Sequence, residues 1–272
     1  MFIEERHQLI LDYLEKNGRI SANQIQDMFE VSFDTARRDL RKMEEKGLLK
    51  RTHGGALPVR QVGFSKPPKV TGRDIEQVYD NYDAIAKRAV SMIQERDVIF
   101  ITSASVGYLM TKHLPKNFFF TVVTNSIVIA EELRKLDNIR TIVVGGEMDN
   151  KGNFYDSIAV ETIKRIRFDK CFITSACISA EFGLSIQRTA AIAVWNGIID
   201  SSKCVIGLYP TEKIGFHSII SICPADKLDT LITDWEVSED EIKKFNEKNI
   251  DIIIVDQDEQ AIQMKSSIKE NF

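Results

Sequence analysis

The sequence predicts a mixed α/β protein in two unequal parts: a short, mostly helical head and a larger, mostly parallel sheet wrapped by helices. Three observations predict it. Residues 1–57 carry apolar side chains at helical spacing, punctuated by cap residues and glycines. Residues 58–80 hold Pro58, Gly63, Pro67, Pro68 and Gly72 with little periodicity, which reads as a linker. Over 81–258, short β-branched apolar runs alternate with helical stretches, the pattern of βαβ units in a doubly wound, Rossmann-like sheet. Residues 259–272 form a polar tail.

Bulk properties exclude other classes. With 43% hydrophobic and 28% charged residues, the 272-residue chain is neither disordered nor membrane-like. No apolar run approaches the roughly 20 residues that cross a bilayer, and the start, Met1-Phe2-Ile3-Glu4-Glu5-Arg6, does not read as a signal peptide. The four cysteines, Cys171, Cys177, Cys204 and Cys223, form no C-x-x-C pair and read as reduced, partly buried thiols. A cytosolic protein is expected. The net charge of −4 hides an asymmetry: residues 37–60 carry eight Lys or Arg against three acids, 8 − 3 = +5. Local positive charge, not the chain average, governs attraction to a phosphate backbone.

Within the head, the first helix is expected to bury Ile3, Ile10 and Leu14, flanked by Leu9 and Tyr13, and to stop at Asn17-Gly18. Ser21 then caps a second helix through Ala22, Ile25, Met28 and Phe29. The turn Glu30-Val31 leads to Ser32, a second N-cap, and to a third helix over about 33–46 that stops at Gly47. Two capped helices joined by so short a turn suit a helix-turn-helix. On the third helix Ala36, Leu40 and Met43 form a narrow apolar stripe, with Asp34, Thr35, Arg38, Arg41 and Lys42 on the other side. Arginine suits bidentate contact with guanine in the major groove. Ser32 and the helix amino terminus suit a phosphate. Arg37 either contacts DNA or braces its neighbours, and Asp39 reads as structural. Leu48-Leu49-Lys50-Arg51-Thr52 and His53-Gly54-Gly55-Ala56 then suggest two short strands around a glycine turn, a wing that would lay Arg51 and His53 along the DNA backbone or minor groove. The alternative is a plain linker turn; the basic strand directly before the glycines favours the wing.

In the larger part, the expected strands are 98–101, 119–123, 141–144, 171–173, 204–208, 231–233 and 252–255. The expected helices are 83–94, 106–114, 126–136, 157–167, 189–201 and 238–248.

The stretch from Val31 to Leu40, then Glu44-Glu45-Lys46-Gly47-Leu48-Leu49 and His53-Gly54-Gly55-Ala56, resembles the signature of DeoR-family regulators in order and spacing over residues 3–57. Val123-Thr124-Asn125-Ser126, Val144-Gly145-Gly146, Phe168-Asp169-Lys170-Cys171-Phe172, Lys213-Ile214-Gly215 and Ile232-Thr233-Asp234 resemble landmarks of that family's sensor domain, over roughly 73–256. The resemblance implies a winged helix-turn-helix followed by an α/β sensor domain of the sugar-phosphate isomerase-like type. It implies a sequence-specific DNA-binding transcription regulator, a repressor or less often an activator of carbohydrate or nucleoside metabolism genes. Such a regulator binds operator DNA as a homo-oligomer, dimer or tetramer, under a small-molecule effector: a sugar, a sugar phosphate or a less charged metabolite. No cofactor, metal, catalytic residue or membrane partner is implied.

The expected DNA-binding residues are Ser32, Asp34, Thr35, Arg37, Arg38, Arg41, Lys42, Arg51 and His53. The expected effector-binding residues are Ser103, Ser105, Asn125, Ser126, Gly145, Gly146 and Lys213, because several fall where strands end and helices begin, the place where doubly wound sheets bind ligands. Gly145-Gly146 is either a close-approach site or a tight turn, and Lys213 either a point charge in the site or a solvated lysine. The sequence also departs from the family. Thr102-Ser103-Ala104-Ser105-Val106 replaces an Asp-x-Gly-Thr-Thr loop. Ala191, Trp195, Asn196 and Pro210 stand at positions the family fills with charged residues. A pocket that loses acidic and basic partners together suits a small polyanion less well. Trp195 either lines an apolar site or fills core. Two alternatives therefore stand beside the regulator with an effector. In one, the second domain only assembles the oligomer. In the other it is an isomerase-like enzyme, for which the aligned positions lack paired acid and base groups; none of His7, His53, His113 and His217 lies in a triad-like or metal-like motif.

Overall fold

The computed structural model of the chain describes residues 2–59 and 80–257. The linker expected at 58–80, apart from its ends, and Arg60 lie outside the described residues, as does the tail expected at 259–272. The chain divides into two compact units. Among the described residues the first holds 2–59 and Glu236–Ile242, and the second holds 80–235 and 243–257.

The first unit contains α1 (Ile3–Asn17), β1 (Ile20–Ser21), α2 (Ala22–Phe29), α3 (Phe33–Glu45), β2 (Leu49–Arg51) and β3 (Gly55–Pro58). Each boundary has a local cause. Gly18 ends α1 in the left-handed conformation at φ 78°. Ser21 and Gln24 form a reciprocal capping box at the start of α2. Ser32 caps α3 by accepting from the Thr35 amide. Ile10, Leu14, Ile20, Ile25, Ala36, Leu40, Met43 and Leu49 make one buried cluster; each large side chain fully buried there stabilises by about 1.5–3 kcal/mol. Two expected core residues sit otherwise. Ile3 is half-buried, and Met28 is exposed on the last turn of α2. On the packed face of α1, Arg6 and His7 are buried with Ile10 and Leu14.

That burial needs a counter-charge. Arg6 Nε donates to Asp39 Oδ2 at 2.7 Å, and His7 Nε2 lies 3.3 Å from Asp39 Oδ1. The Asp39 side chain is 1% exposed. A carboxylate so placed is tolerated because it is paired and hydrogen-bonded.

The glycine turn after β2 leads into β3, as expected of a wing, but the sheet has three strands in the order β1-β3-β2. β1 had no sequence signal of its own: Ile20 and Ser21 pair antiparallel with Ala56 and Gly55. Gly55 belongs to β3 rather than the turn, and a Cβ there would collide with the Ile20 carbonyl oxygen.

In the second unit, α4 (Asp80–Val90) precedes a seven-stranded sheet. Its strands are β4 (Val98–Ile101), β5 (Phe120–Thr124), β6 (Ile139–Val143), β7 (Lys170–Ile173), β10 (Val205–Leu208), β12 (Thr230–Asp234) and β13 (Asp251–Val255). The order is β13-β12-β10-β7-β4-β5-β6, and every pairing is parallel. These are the seven runs expected from sequence, shifted by a residue or two. The interleaved helices are α5 (Ser105–His113), α6 (Ile127–Leu133), α7 (Ser157–Lys164) and α8 (Ile192–Asp200); α9 (Glu239–Asn246) has its first half in the residues of the first unit and its second half in the second. The helix expected at 189–201 starts as a 3-10 turn, Thr189–Ala191.

Alternate strand residues, Ile99, Ile101, Val122, Phe172, Ile206 and Ile232, join Tyr82, Ile85, Leu109 and Leu133 in one core cluster. Their neighbours Phe100, Val123, Cys171, Val205 and Leu231 are buried as well. Strands buried on both faces read as unbroken apolar runs, which is why the sequence revealed them. It did not reveal β8 (Cys177–Ser179), β9 (Gly183–Ile186) and β11 (Ile220–Cys223), an antiparallel sheet in the order β11-β9-β8. These segments are three or four residues long, too short for alternation to stand out.

Replacing Asp39 by Ala leaves the Arg6 guanidinium uncompensated. We expect a loss of roughly 3–5 kcal/mol of local stability, read as faster amide hydrogen exchange in α1 and α3; a change below about 1 kcal/mol contradicts the pin. Burial pushes the Cys171 thiol up to about 12 and the Cys223 thiol up to about 11. At pH 8 neither offers appreciable thiolate, so a colorimetric thiol reagent should titrate both only after denaturation, and rapid labelling of either in the native chain contradicts the burial.

Candidate DNA interface and ligand crevice

With α3 held from behind by Asp39, Leu40 and Met43, its other face is free. Arg37, Arg38, Arg41 and Lys42 are exposed, as are Ser32 and Asp34, and Thr35 is half-buried. Ser32 Oγ accepts from the Thr35 amide at 3.2 Å and lies 2.9 Å from Thr35 Oγ1, so this pair first serves the cap. The Arg37 guanidinium lies over the Phe33 ring, 5.9 Å from its centroid, which stiffens it against the first turn. The wing strand is tied to α3 through Glu44: its carboxylate accepts from the Arg51 amide at 2.8 Å and stands 3.7 Å from the Arg51 guanidinium. Part of the Arg51 charge is thereby balanced. His53 is exposed in the turn between β2 and β3. The result is a cationic ridge on one helix beside a short wing.

In the second unit the strand order reverses between β4 and β7, so the loops leaving their carboxyl ends diverge and leave a crevice. Ser103, in the loop after β4, has its Oγ 2.9 Å from the Tyr155 hydroxyl. Ser105 begins α5, and Gly107 lets this helix sit against the Thr102 carbonyl, where a Cβ would collide. Asn125, after β5, is fully buried. Its Nδ2 donates to the Phe154 carbonyl at 3.2 Å, while its Oδ1 has no hydrogen-bond partner in the protein. Ser126 is buried beside it, and its amide donates to Thr124 Oγ1 at 3.2 Å.

Gly145 and Gly146 follow β6. Gly145 is open, whereas Gly146, at φ 136°, is pressed against the Asp156 carboxylate. Asp156 accepts from the Ala159 amide at 2.9 Å, capping α7, and from the Glu147 amide at 2.6 Å. These hydrogen bonds hold its carboxyl below the usual range. Gly146 thus closes a turn around a cap. Lys213 lies elsewhere, after β10 and so across β7 from β4, buried in the 3-10 turn Thr211–Lys213. Asp234 Oδ1 and Oδ2 anchor that turn through the Thr211 hydroxyl and amide at 2.7 and 2.8 Å. Trp195 is buried on α8.

The structure therefore brings Ser103, Asn125 and Ser126 together and adds three residues the sequence did not mark. Tyr155 joins Ser103. Asp149 accepts from the Lys151 and Asn153 amides at 2.8 and 2.9 Å, and Arg188 donates to Asp149 Oδ2 at 3.1 Å. Burial raises the Tyr155 phenol above its usual value; the Asp149 carboxylate adds to this, and Ser103, Asn125 and Arg188 oppose it. Ser103 is bonded to that hydroxyl, and Asp149 stands on the same loop as Tyr155, held by the Asn153 amide. Residues 147–156 carry no periodicity, and the one available signal was Asp156-Ser157 ahead of the α7 pattern, which marks a cap and not a site. Three of the histidines are engaged: His7 with Asp39, His113 with Asp83 at 2.6 Å, and His217 packed against Phe182 with the rings tilted by 54° and centroids 5.3 Å apart.

Comparison with known proteins bears on both units. Residues 6–62 match the DeoR-like helix-turn-helix domain, and residues 78–235 match the DeoR C terminal sensor domain. The HTH-type transcriptional repressor GlcR of Bacillus subtilis (strain 168) is 31% identical over 260 residues, covering 95% of this chain and 99% of that one. The HTH-type transcriptional regulator GolR of Listeria innocua is 27% identical, covering 94% and 100%. The lactose phosphotransferase system repressor of Lactococcus lactis is 28% identical, covering 90% and 96%. Among solved structures, a ribose 5-phosphate isomerase A from Methanocaldococcus jannaschii matches 49% of this chain and 53% of its own, at 12% identity and a TM-score of 0.37.

Proposed function

The chain belongs to the DeoR family of helix-turn-helix transcriptional regulators, and we propose that it represses genes of carbohydrate or nucleoside metabolism under a small effector bound by its sensor domain. The observation that carries the DNA half is the ridge of Arg37, Arg38, Arg41 and Lys42, exposed on a helix whose back is pinned by a buried carboxylate. In this reading α3 enters the major groove and Arg38 reads a guanine edge. Arg41, Lys42, Ser32 and the first-turn residues Asp34 and Thr35 position the helix on phosphates and base edges, and Arg51 and His53 follow the backbone. Relatives named as repressors, one of them of a lactose phosphotransferase system, support the regulated chemistry. We assign the effector to the crevice of Ser103, Ser105, Asn125 and Ser126, with Gly145 at its rim; Gly146, packed on Asp156, and Lys213, buried in the turn after β10, stand apart from it.

The sensor domain on this reading is not catalytic. Three of the four histidines are engaged in structural pairings, and the residues gathered at the crevice are mainly hydroxyls and an amide, not a matched acid and base. The protein works in the cytoplasm as a homo-oligomer, so that paired α3 helices meet repeated half-sites.

Footprinting on genomic DNA supplies the operator, and two substitutions then test the ridge. Arg38→Ala should weaken specific binding by roughly 1–3 kcal/mol and relax selectivity at one base position. Lys42→Ala should weaken binding to all sequences alike and lower the salt slope by about 1. Unchanged affinity of both variants at matched salt would falsify the assignment of α3.

A further inference from the structure

We infer that the crevice is built for an uncharged, polyhydroxylated ligand in preference to its phosphate ester, and that Asp149, by neutralising Arg188, sets that choice. This rests on the reading of the crevice as the effector site. Three observations carry it.

The first is charge balance. Asp149 stands on the loop that carries Tyr155: it accepts from the Asn153 amide, Asn125 holds the Phe154 carbonyl, and Tyr155 meets Ser103. Arg188 is the cation an incoming phosphate would seek, and its Nη1 is already given to Asp149 at 3.1 Å. Asp149 cannot readily swing away, because its other oxygen accepts from the amides of Lys151 and Asn153 at 2.8 and 2.9 Å. The Arg188 side chain is 57% exposed, so the pairing is screened by solvent, yet a phosphate approaching it still meets a fixed carboxylate, which lessens the attraction for a dianion and spares a neutral ligand.

The second is hydrogen-bond inventory. Asn125 is fully buried and its Oδ1 has no donor in the protein, while its Nδ2 is committed to the Phe154 carbonyl. That donation fixes which way the amide points. An unpartnered buried acceptor calls for a group that donates. A sugar or polyol hydroxyl donates, whereas a phosphate dianion offers only acceptors, so Asn125 Oδ1 accepts from a hydroxyl and gives a phosphate group no purchase. Ser103 and Tyr155 are bonded to one another at 2.9 Å: whichever donates in that bond can still accept from a ligand, and the other keeps its hydrogen to give.

The third is sequence distance. Asp149 follows β6 and Arg188 follows β9, so the ion pair joins two loops 39 residues apart, one of them the loop that carries Tyr155 to Ser103. One feature pulls the other way: the amino end of α5 directly follows Ser103, has no side-chain cap, and favours an anion. The balance between that helix end and Asp149 is what experiment decides.

The test uses the full-length protein and matched probes: glucose with glucose 6-phosphate, ribose with ribose 5-phosphate, glucitol with glucitol 6-phosphate, and inorganic phosphate alone. Binding is followed by calorimetry and thermal shift. At least one neutral member should bind tenfold or more tightly than its phosphate. Asp149→Asn, which keeps the acceptor for the loop amides and frees Arg188, should cut that preference at least tenfold. Asp149→Glu, which keeps the charge, should preserve most of it. Any of three results overturns the inference: a phosphate binding the unaltered protein as tightly as its neutral partner, a preference unmoved by Asp149→Asn, or no binding across the whole panel. Operator affinity is measured on the same preparations. Retained operator binding alongside a phosphate preference defeats this inference alone, whereas loss of operator binding defeats the regulator reading.

Discussion

The Asp39 carboxylate is the constraint on which the DNA-facing surface depends. A winged helix-turn-helix must hold a strongly cationic helix against a small core, and few apolar contacts are available to do so: Ala36, Leu40 and Met43 form a narrow stripe. Placing a buried acid beside that stripe, and bringing Arg6 and His7 to it from α1, adds a directional clamp at the point where the helices meet. Hydrophobic contact resists separation but not rotation about the helix axis, since it is non-directional. A charge-assisted hydrogen bond at 2.7 Å resists both. Rotation is what would turn Arg38 away from the groove, so the pin protects the orientation on which recognition depends.

A comparable economy governs the larger unit. A parallel sheet buried on both faces offers no side chains for chemistry along its length, so polar groups collect where the strands stop. There each polar side chain does structural work before any functional work. Asn125 clips residue 154, Asp156 caps α7 against Gly146, and Asp234 anchors the turn bearing Lys213. A rim held this way is organised before a ligand arrives, which lowers the ordering cost of binding. The Asn125 Oδ1 departs from the pattern, a buried acceptor left open in an otherwise satisfied loop.

For a ligand at this rim to control DNA binding, it must favour one arrangement of the protein over another. Tight binding to both would shift nothing. Moving such an equilibrium from 1:99 to 99:1 takes about 5.5 kcal/mol of differential affinity. A few hydrogen bonds made in one arrangement and lost in the other are of that order, given about 1.5–3 kcal/mol for each bond to a charged group and less for neutral ones. At about 1 kcal/mol for each neutral bond, a crevice rich in hydroxyls needs five or six such bonds to do this without a formal charge.

The sequence alone determined whatever rests on neighbours within a turn or two. Caps at Ser21 and Ser32, the stop at Gly18, the stripe and ridge of α3, and the seven strands of the parallel sheet are local patterns of spacing and residue type, and the chain kept all of them. Tertiary structure decided what joins distant segments. The third wing strand exists because Gly55 can approach Ile20. Arg6 and His7 are core because Asp39 lies 33 and 32 residues away, and Tyr155 belongs to the crevice because Ser103, 52 residues earlier, meets its hydroxyl. Periodicity reports which face of an element is apolar. It carries no information about which remote polar group will arrive to satisfy a buried charge, because that depends on the path of the backbone through the whole sheet.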